Sequence, residues 1–324
     1  MSAESQPLPN FFIVGAPKAG TTAIYRYLDQ HPQIYMSPIK EPCYFASEIR
    51  PENFSEEIQP RIRREMRQLR EYLQGPMTTK RFSGLIVERT DYLRLFQNVR
   101  DEKAIGEASV CYLWSEAAPG SISSAIPEAK IIMILRDPAE RAFSQYAHVV
   151  SGGQVKMSFR EYLEASLRHS GGKFTPVYPF LEFGMYYEQV KRYLDSFSSD
   201  RIRIYFYDDY RRNPLTVLRD IFDFLSVDAT FVPDTSEKHL EPSIPRFVAT
   251  AYLLKRYGVW RRATDLVPPA LRRRLRAAVF RPRKSLVLEK RERAYLAEYY
   301  REDVQKLSTL LGRDLGGWLA CGSS

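Results

Sequence analysis

Gly15-Ala16-Pro17-Lys18-Ala19-Gly20-Thr21-Thr22 has the residue types and spacing to hold a phosphate. It follows the apolar run Asn10–Val14 and opens a segment of helical character, Thr21–Gln30, which Pro32 stops. Strand, glycine loop and helix in that order offer an anion a row of backbone N–H donors and the positive end of a helix. Against the nucleoside-triphosphate pattern GxxxxGK[ST], Gly15, Gly20 and Thr22 coincide, but Thr21 takes the lysine position. The lysine stands mid-loop instead, at Lys18. Phosphoryl transfer from a triphosphate leans on a metal to neutralise the β- and γ-oxygens. Here the strand Ile131–Leu135 leads into Arg136, with no terminal aspartate for magnesium. A sulfuryl group carries less negative charge, so one ammonium and several N–H donors suffice for it. The loop therefore points to a nucleotide with a 5′-phosphate and no metal.

The elements that must position this loop read as alternating strands and helices. Ile34–Met36 is a short strand, followed by the turn Ser37-Pro38 and then Lys40-Glu41-Pro42. Residues 50–82 are charged and broken by prolines, with a helix expected near Glu57–Leu73; they form an excursion from the sheet that covers an active site or simply decorates it. Asp91–Phe96 is helical in pattern and Ala104–Glu107 ends a strand. The run Lys130–Leu135 is continuously apolar after its lysine, as in a strand buried on both faces. Asp137, Pro138 and Glu140 then supply an N-cap, a first-turn proline and a capping-box acid. Further helices fit Phe159–Leu167, Tyr186–Phe197, Leu215–Leu225 and Lys290–Leu311, with a strand at Arg201–Phe206. The pattern predicts an α/β fold: a P-loop-like central parallel sheet of about four or five strands, flanked by helices on both faces. Its ligand belongs at the C-terminal ends of the strands. A single domain over 1–324 is expected, with 50–82 and 228–280 as substrate-side or lid excursions.

Composition narrows the setting. The chain's 324 residues, 44% hydrophobic and 27% charged, are those of an ordinary soluble domain. No apolar run reaches the roughly 18 residues of a membrane span, and MSAESQPLPN, without a basic n-region or an apolar h-region, does not read as a secretory leader. Cys43, Cys111 and Cys321 are few, scattered and odd in number, which suits reduced thiols and a cytoplasmic location. The net charge of +9 is concentrated in residues 255–284, where eleven basic side chains face Asp265 alone. Charge of this kind fits a polyanionic ligand, a nucleic acid or an acidic membrane face. The run at 272–276 reads more simply as a solvated helix face than as an RNA-binding patch.

The motifs together resemble the family of sulfotransferases that use 3′-phosphoadenosine 5′-phosphosulfate (PAPS), and within it bacterial members similar to the heparan sulfate enzymes. Four separated blocks carry the resemblance: FFIVGAPKAGTTAIYRYLDQHPQI, KEPCYF at 40–45, KIIMILRDPAERAFSQY at 130–146, and the C-terminal stretch from RPRKSLVLEK to GGWL. The resemblance implies that Lys18 contacts the leaving phosphate–sulfate bridge, and that Ala19, Gly20, Thr21 and Thr22 surround the 5′-phosphate. It implies that Arg136 and Ser144 grip the 3′-phosphate, which an arginine fork suits. Arg283 and Lys284 match the C-terminal basic loop that closes on the nucleotide, with Arg281 and Arg246 as alternatives. Glu41 matches the general base, which an alcohol nucleophile requires. Glu107 is the rival base, at a position linked in the family to acceptor binding or active-site support.

Of the histidines, His31 is expected to pack or cap beside Pro32, and His148, His169 and His239 fall in no constellation. The expected partner is a glycan or small-molecule acceptor, with no nucleic acid and no metal. A magnesium-dependent P-loop kinase and a basic binding module are the competing classes. The first is opposed by the misplaced lysine; the second predicts binding that survives Lys18→Ala.

Overall fold

Short apolar runs spaced along the chain meet in one parallel sheet. The computed structural model describes residues 7–169, 171–236, 244–245, 280–281 and 287–320. Among these the strands are β1 (Phe11–Ile13), β2 (Ile34–Met36), β3 (Ile39–Lys40), β4 (Arg81–Phe82), β5 (Ala104–Ala108), β6 (Lys130–Leu135), β7 (Ile202–Phe206), β8 (Ile244–Pro245) and β9 (Phe280–Arg281). The main sheet has the order β2-β5-β1-β6-β7, and every pairing in it is parallel. β1 lies at its centre, and Phe11, Phe12 and Ile13 are fully buried.

The helices are α1 (Thr21–Leu28), α2 (Gln59–Gln74), α3 (Arg89–Arg94), α4 (Cys111–Trp114), α5 (Ala118–Ala125), α6 (Pro138–Ser151), α7 (Phe159–Arg168), α8 (Tyr186–Ser196), α9 (Tyr207–Arg212), α10 (Pro214–Leu225), α11 (Lys290–Tyr299) and α12 (Arg301–Leu311). The β1-to-β2 crossover runs one way along the sheet and the β6-to-β7 crossover the other. Right-handed crossovers in opposite directions place their helices on opposite faces. The expected α/β architecture is the observed one.

Local departures have local causes. Asp137 caps α6 as expected, accepting from the N–H groups of Ala139 and Glu140. Glu140 does not complete a capping box; its carboxylate turns to Arg136 at 3.4 Å. The single helix expected over Lys290–Leu311 is two, because Tyr300 at the junction is fully buried and its hydroxyl donates to the Leu181 carbonyl at 2.9 Å. The 50–82 excursion is bound to the body of the protein. Its β4 pairs with β3, and its N-terminal part pairs with residue 174 through Ser55 N–H to Phe174 O at 2.9 Å and Phe174 N–H to Asn53 O at 2.7 Å.

Candidate active site

The C-terminal edge of the sheet carries the Gly15–Thr22 loop, Arg136 and Glu107, with the turn of Glu41 bonded to the end of β5. The loop after β1 is held against β6 by N–H bonds from Val14 to Ile132 O and from Ala16 to Ile134 O, each 2.9 Å. A β-carbon at Gly15 would stand 2.7 Å from the Ile134 backbone nitrogen, so only glycine lets the loop pass there. Lys18 (φ 66°) and Gly20 (φ 95°) both take the left-handed conformation, rare for a lysine. Gly20 is the N-cap of α1, whose first turn holds no acidic side chain. Among the described residues the N–H groups of Gly20, Thr21 and Thr22 meet no acceptor, whereas that of Ala19 is taken by Ala16 O at 3.2 Å. Free first-turn donors with no competing carboxylate make a seat for an anion. The residues present fit a 5′-phosphate.

Arg136, at the end of β6, reaches this loop. Its Nη1 donates to the Lys18 carbonyl at 3.0 Å, and its guanidinium lies over the Tyr207 ring at 4.6 Å. Tyr186 donates its hydroxyl to the Arg136 carbonyl at 2.9 Å. The rings of Tyr207 and Tyr210, just past β7, close over the loop: a β-carbon at Gly20 would lie 3.3 Å from Tyr210 and 3.4 Å from Tyr207. Ser144 is buried six residues into α6, about 9 Å along the helix from its start. Asp137 also receives a two-pronged pair from Arg293, at 2.6 and 2.7 Å, which fastens α11 to the base of the site.

Glu41 stands on the far side of β5. Its N–H donates to Ala108 O at 2.7 Å, on the edge of β5 that faces β2, and Ala108 lies opposite Ile13 of β1. Neighbouring strands run about 4.8 Å apart, so roughly 10 Å separates the Glu41 backbone from the start of the phosphate loop, with the end of β5 between them. The turn is strained: Glu41 (φ 69°) and Cys43 (φ 56°) are both left-handed, on either side of Pro42. Non-glycine residues held this way cost of order 1–3 kcal/mol each and cluster at functional sites. The Glu41 side chain is 37% exposed, and Lys40 Nζ, itself buried, lies 2.6 Å from its Oε1. The chain just past the excursion closes the turn, through Gly84 N–H to Glu41 O at 3.2 Å.

Glu107 faces the opposite circumstance. It is fully buried in β5; Tyr92 donates to its Oε2 at 2.5 Å and Ser109 Oγ to its Oε1 at 2.9 Å. Burial pushes its carboxyl up to about 7, against the lowering effect of bonds from Tyr92, Tyr112 and Ser109. The same Ser109 Oγ accepts from Cys43 N–H at 3.2 Å, so Glu107 braces the turn that carries Glu41.

The remaining sequence candidates divide. His31 packs, as expected, between Phe222 and Phe231 and bonds to Gln33 N–H and Asp228 O, each at 3.0 Å. His169 lies against the ring of Tyr178, 4.8 Å between centroids. Arg246, Arg283, Lys284, His239 and most of the basic stretch 255–284 lie outside the described residues, as do the side chain of Arg281 and Cys321. Sequence reasoning missed Tyr186, Tyr207, Tyr210 and Arg293. The available signal for two of them was an aromatic pair directly after a strand whose end must border the site.

A parallel sheet with a glycine loop after its central strand and an arginine at the end of the next strand is the frame of an α/β protein with its candidate site at the C-terminal edge of the sheet. The Sulfotransferase family profile matches residues 9–231, and the chain belongs to that family, whose members transfer sulfuryl groups. A sulfotransferase from Alicyclobacillus acidocaldarius is 30% identical and superposes with a TM-score of 0.68, over 97% of this chain and 100% of that one. The human bifunctional heparan sulfate N-deacetylase/N-sulfotransferase 3 is 28% identical over 320 residues, 96% of this chain and 31% of its own length. Mouse carbohydrate sulfotransferase 15 is 27% identical over 272 residues, 68% of this chain and 44% of its own. The chain thus spans about a third to under a half of the mammalian relatives it matches. Among the described residues no helix is long and apolar enough to cross a membrane.

Proposed function

We propose that the sulfuryl donor is PAPS, with its 5′-phosphosulfate in the Gly15–Thr22 loop and its 3′-phosphate toward Arg136 and Ser144. The observation that supports this is the 3.0 Å contact between Arg136 and the Lys18 carbonyl, which brings the arginine expected at the 3′-phosphate to the loop expected to hold the 5′-phosphosulfate. The donor supplies an activated sulfuryl group; the rest falls to the chain's own side chains. Lys18 offsets the charge that grows on the bridging oxygen as its bond to sulfur breaks. Glu41 accepts the proton of the attacking hydroxyl or amine, an effect of roughly 10²–10⁴ in rate. Glu107 serves as a positioning residue behind it.

The acceptor in this proposal is a carbohydrate or a small hydroxylated or amino metabolite; the carbohydrate-modifying relatives support it. A cytoplasmic site of action fits the unbridged thiols of Cys43 and Cys111, which lie 3.0 Å apart. One catalytic domain fits the shared core, which includes Leu296, Tyr300 and Val304 of the C-terminal helices.

The test is thermal unfolding with 3′-phosphoadenosine 5′-phosphate, AMP and ATP. The bisphosphate raises Tm by several degrees more than either other nucleotide, without magnesium, and Lys18→Ala or Arg136→Ala removes most of the shift. Equal stabilisation by ATP, or a shift that needs magnesium, overturns the donor assignment.

A further inference from the structure

The turn that carries Glu41 meets the chain beyond β5 at a pair of thiols. Cys43, two residues past Glu41, and Cys111, which opens α4, are 68 positions apart in the chain, yet their sulfurs lie 3.0 Å from each other. A covalent bond between them needs the gap to close to about 2.05 Å. Both are free thiols, and their hydrogens run in series: Cys111 donates to the Cys43 sulfur, and Cys43 donates to the Glu41 carbonyl at 3.5 Å. Joining the sulfurs consumes both hydrogens, and with them the bond that Cys43 makes to Glu41. Among the described residues no group of three or more His, Cys, Asp or Glu could hold a metal ion.

The two thiols differ in reach. Cys43 is half-buried and Cys111 is buried. Burial, then the bond to Cys43 and the charge of Glu41, push the Cys111 thiol well above its ordinary value. Cys111 therefore stays protonated and is the poorer first nucleophile, and Cys43 is the one that a small oxidant reaches.

The turn is built to transmit a small displacement. Glu41 and Cys43 hold left-handed backbone on either side of Pro42, whose ring fixes one dihedral between them. Drawing Cys43 toward Cys111 thus re-aims Glu41, since little of the shift can be absorbed in between. The Gly15–Thr22 loop hangs instead on β6, through Val14 and Ala16, and keeps its place.

We propose that Cys43 and Cys111 form a site of reversible oxidation by hydroperoxides, and that the disulfide they make slows sulfuryl transfer by displacing Glu41. This rests on the proposed role of Glu41 for its effect on turnover, though not for the bridge. In the first step the Cys43 thiolate attacks a peroxide oxygen; the S–O bond forms as the O–O bond breaks, and the departing oxygen takes up a proton. The Cys111 sulfur then attacks the sulfenic sulfur: the S–S bond forms, the S–O bond breaks, and the hydroxyl leaves as water with the Cys111 proton. Two thiols lose two hydrogens and two electrons, and the hydroperoxide is reduced to an alcohol and water, or to two waters from hydrogen peroxide. A thiol reductant reverses the bridge by exchange.

The experiment treats the full chain with hydrogen peroxide and then with dithiothreitol. Three readouts are followed: the tryptic map, Tm, and release of the bisphosphate from PAPS with water and glucose as probe acceptors. The oxidised protein is expected to yield peptides 41–61 and 104–130 joined, with the loss of two hydrogens. Closing so long a loop raises Tm by several degrees. Release slows by roughly tenfold or more, as a misplacement of about 1 Å at a reacting group does, and dithiothreitol reverses all three changes. The Tm shift induced by the bisphosphate is the same with and without the bridge. Cys321→Ser responds like the wild type. Cys111→Ser and Cys43→Ser, made separately, give no joined peptide and no rise in Tm, and keep their turnover in peroxide. Absence of the joined peptide in oxidised wild type overturns the inference, as does a bridged protein of undiminished turnover or a Cys111→Ser protein inhibited as strongly as wild type. Near-full turnover in Glu41→Gln overturns the base assignment instead, and leaves the peptide map and the Tm rise to test the bridge.

Discussion

Glu41 and Glu107 both hang on the C-terminal end of β5, one by its backbone and one as part of the strand, yet their surroundings are opposite. Glu41 is in a strained turn, 37% exposed, with an ammonium 2.6 Å away. Glu107 has no exposure, and both its oxygens accept hydrogen bonds. A general base must meet its substrate and be ionised when it does; a bracing carboxylate must meet neither requirement. Nearness to the reacting atoms therefore does not assign the role. Exposure and available lone pairs are the features that differ, and they favour the proposed assignment of Glu41 as base and Glu107 as brace.

The comparison breaks most sharply at Glu41. Glu41→Gln keeps the size of the side chain and removes its capacity to take a proton, so kcat falls by roughly 10³, while bisphosphate binding stays within about twofold. Turnover with PAPS and the bisphosphate-induced Tm shift, measured on one preparation, check this. Near-full turnover in Glu41→Gln hands the base role to another group.

Glu107 is read through stability and pH. Its carboxyl is raised from the ordinary 4.5 to about 7 by burial. Between those values the folded chain keeps a proton that the unfolded chain releases, so stability declines as pH rises through that window. The contribution is complete below about 4.5 and gone above about 7, a change on the order of 3 kcal/mol. Asp303, raised by burial to about 6, acts in the same direction, so the measurement must be a difference between proteins. Relative to wild type, Glu107→Gln is destabilised by roughly 2–3 kcal/mol more at pH 5 than at pH 8. Denaturant unfolding at the two pH values checks it. A difference independent of pH means that Glu107 is not held protonated in the folded state.

What the sequence disclosed and what it hid follow the same physical line. The β1 loop, the KIIMIL strand with Arg136 at its end, and the Asp137 cap are contiguous or periodic, so residue order alone exposes them. Tyr92 on Glu107, Tyr207 over Gly20 and Arg293 on Asp137 join residues from 15 to 187 positions apart, and no local period announces such contacts. The 50–82 excursion was visible as a departure from the sheet, but its anchoring needed its partner at residue 174. The break at Tyr300 was hidden for another reason: both halves of Lys290–Leu311 are good helix sequence, and only tertiary burial divides them. The proposed base was half legible, since the motif offered both glutamates and their different burial is what favours Glu41.

The finest test lies at the residue that joins the two carboxylate environments. Ser109 Oγ donates to Glu107 and accepts from Cys43 N–H, two positions beyond Glu41. Ser109→Ala removes both bonds without changing charge or leaving a large void, at about 1 kcal/mol of stability. If Glu107 acts by bracing the turn, the same substitution loosens Glu41 and lowers kcat several-fold, while the Tm shift with the bisphosphate is unchanged. Ser109→Thr restores the hydroxyl, and recovers turnover where the buried site admits the extra methyl. A Ser109→Ala protein with lowered stability but wild-type kcat would show that the two glutamates are neighbours without being coupled.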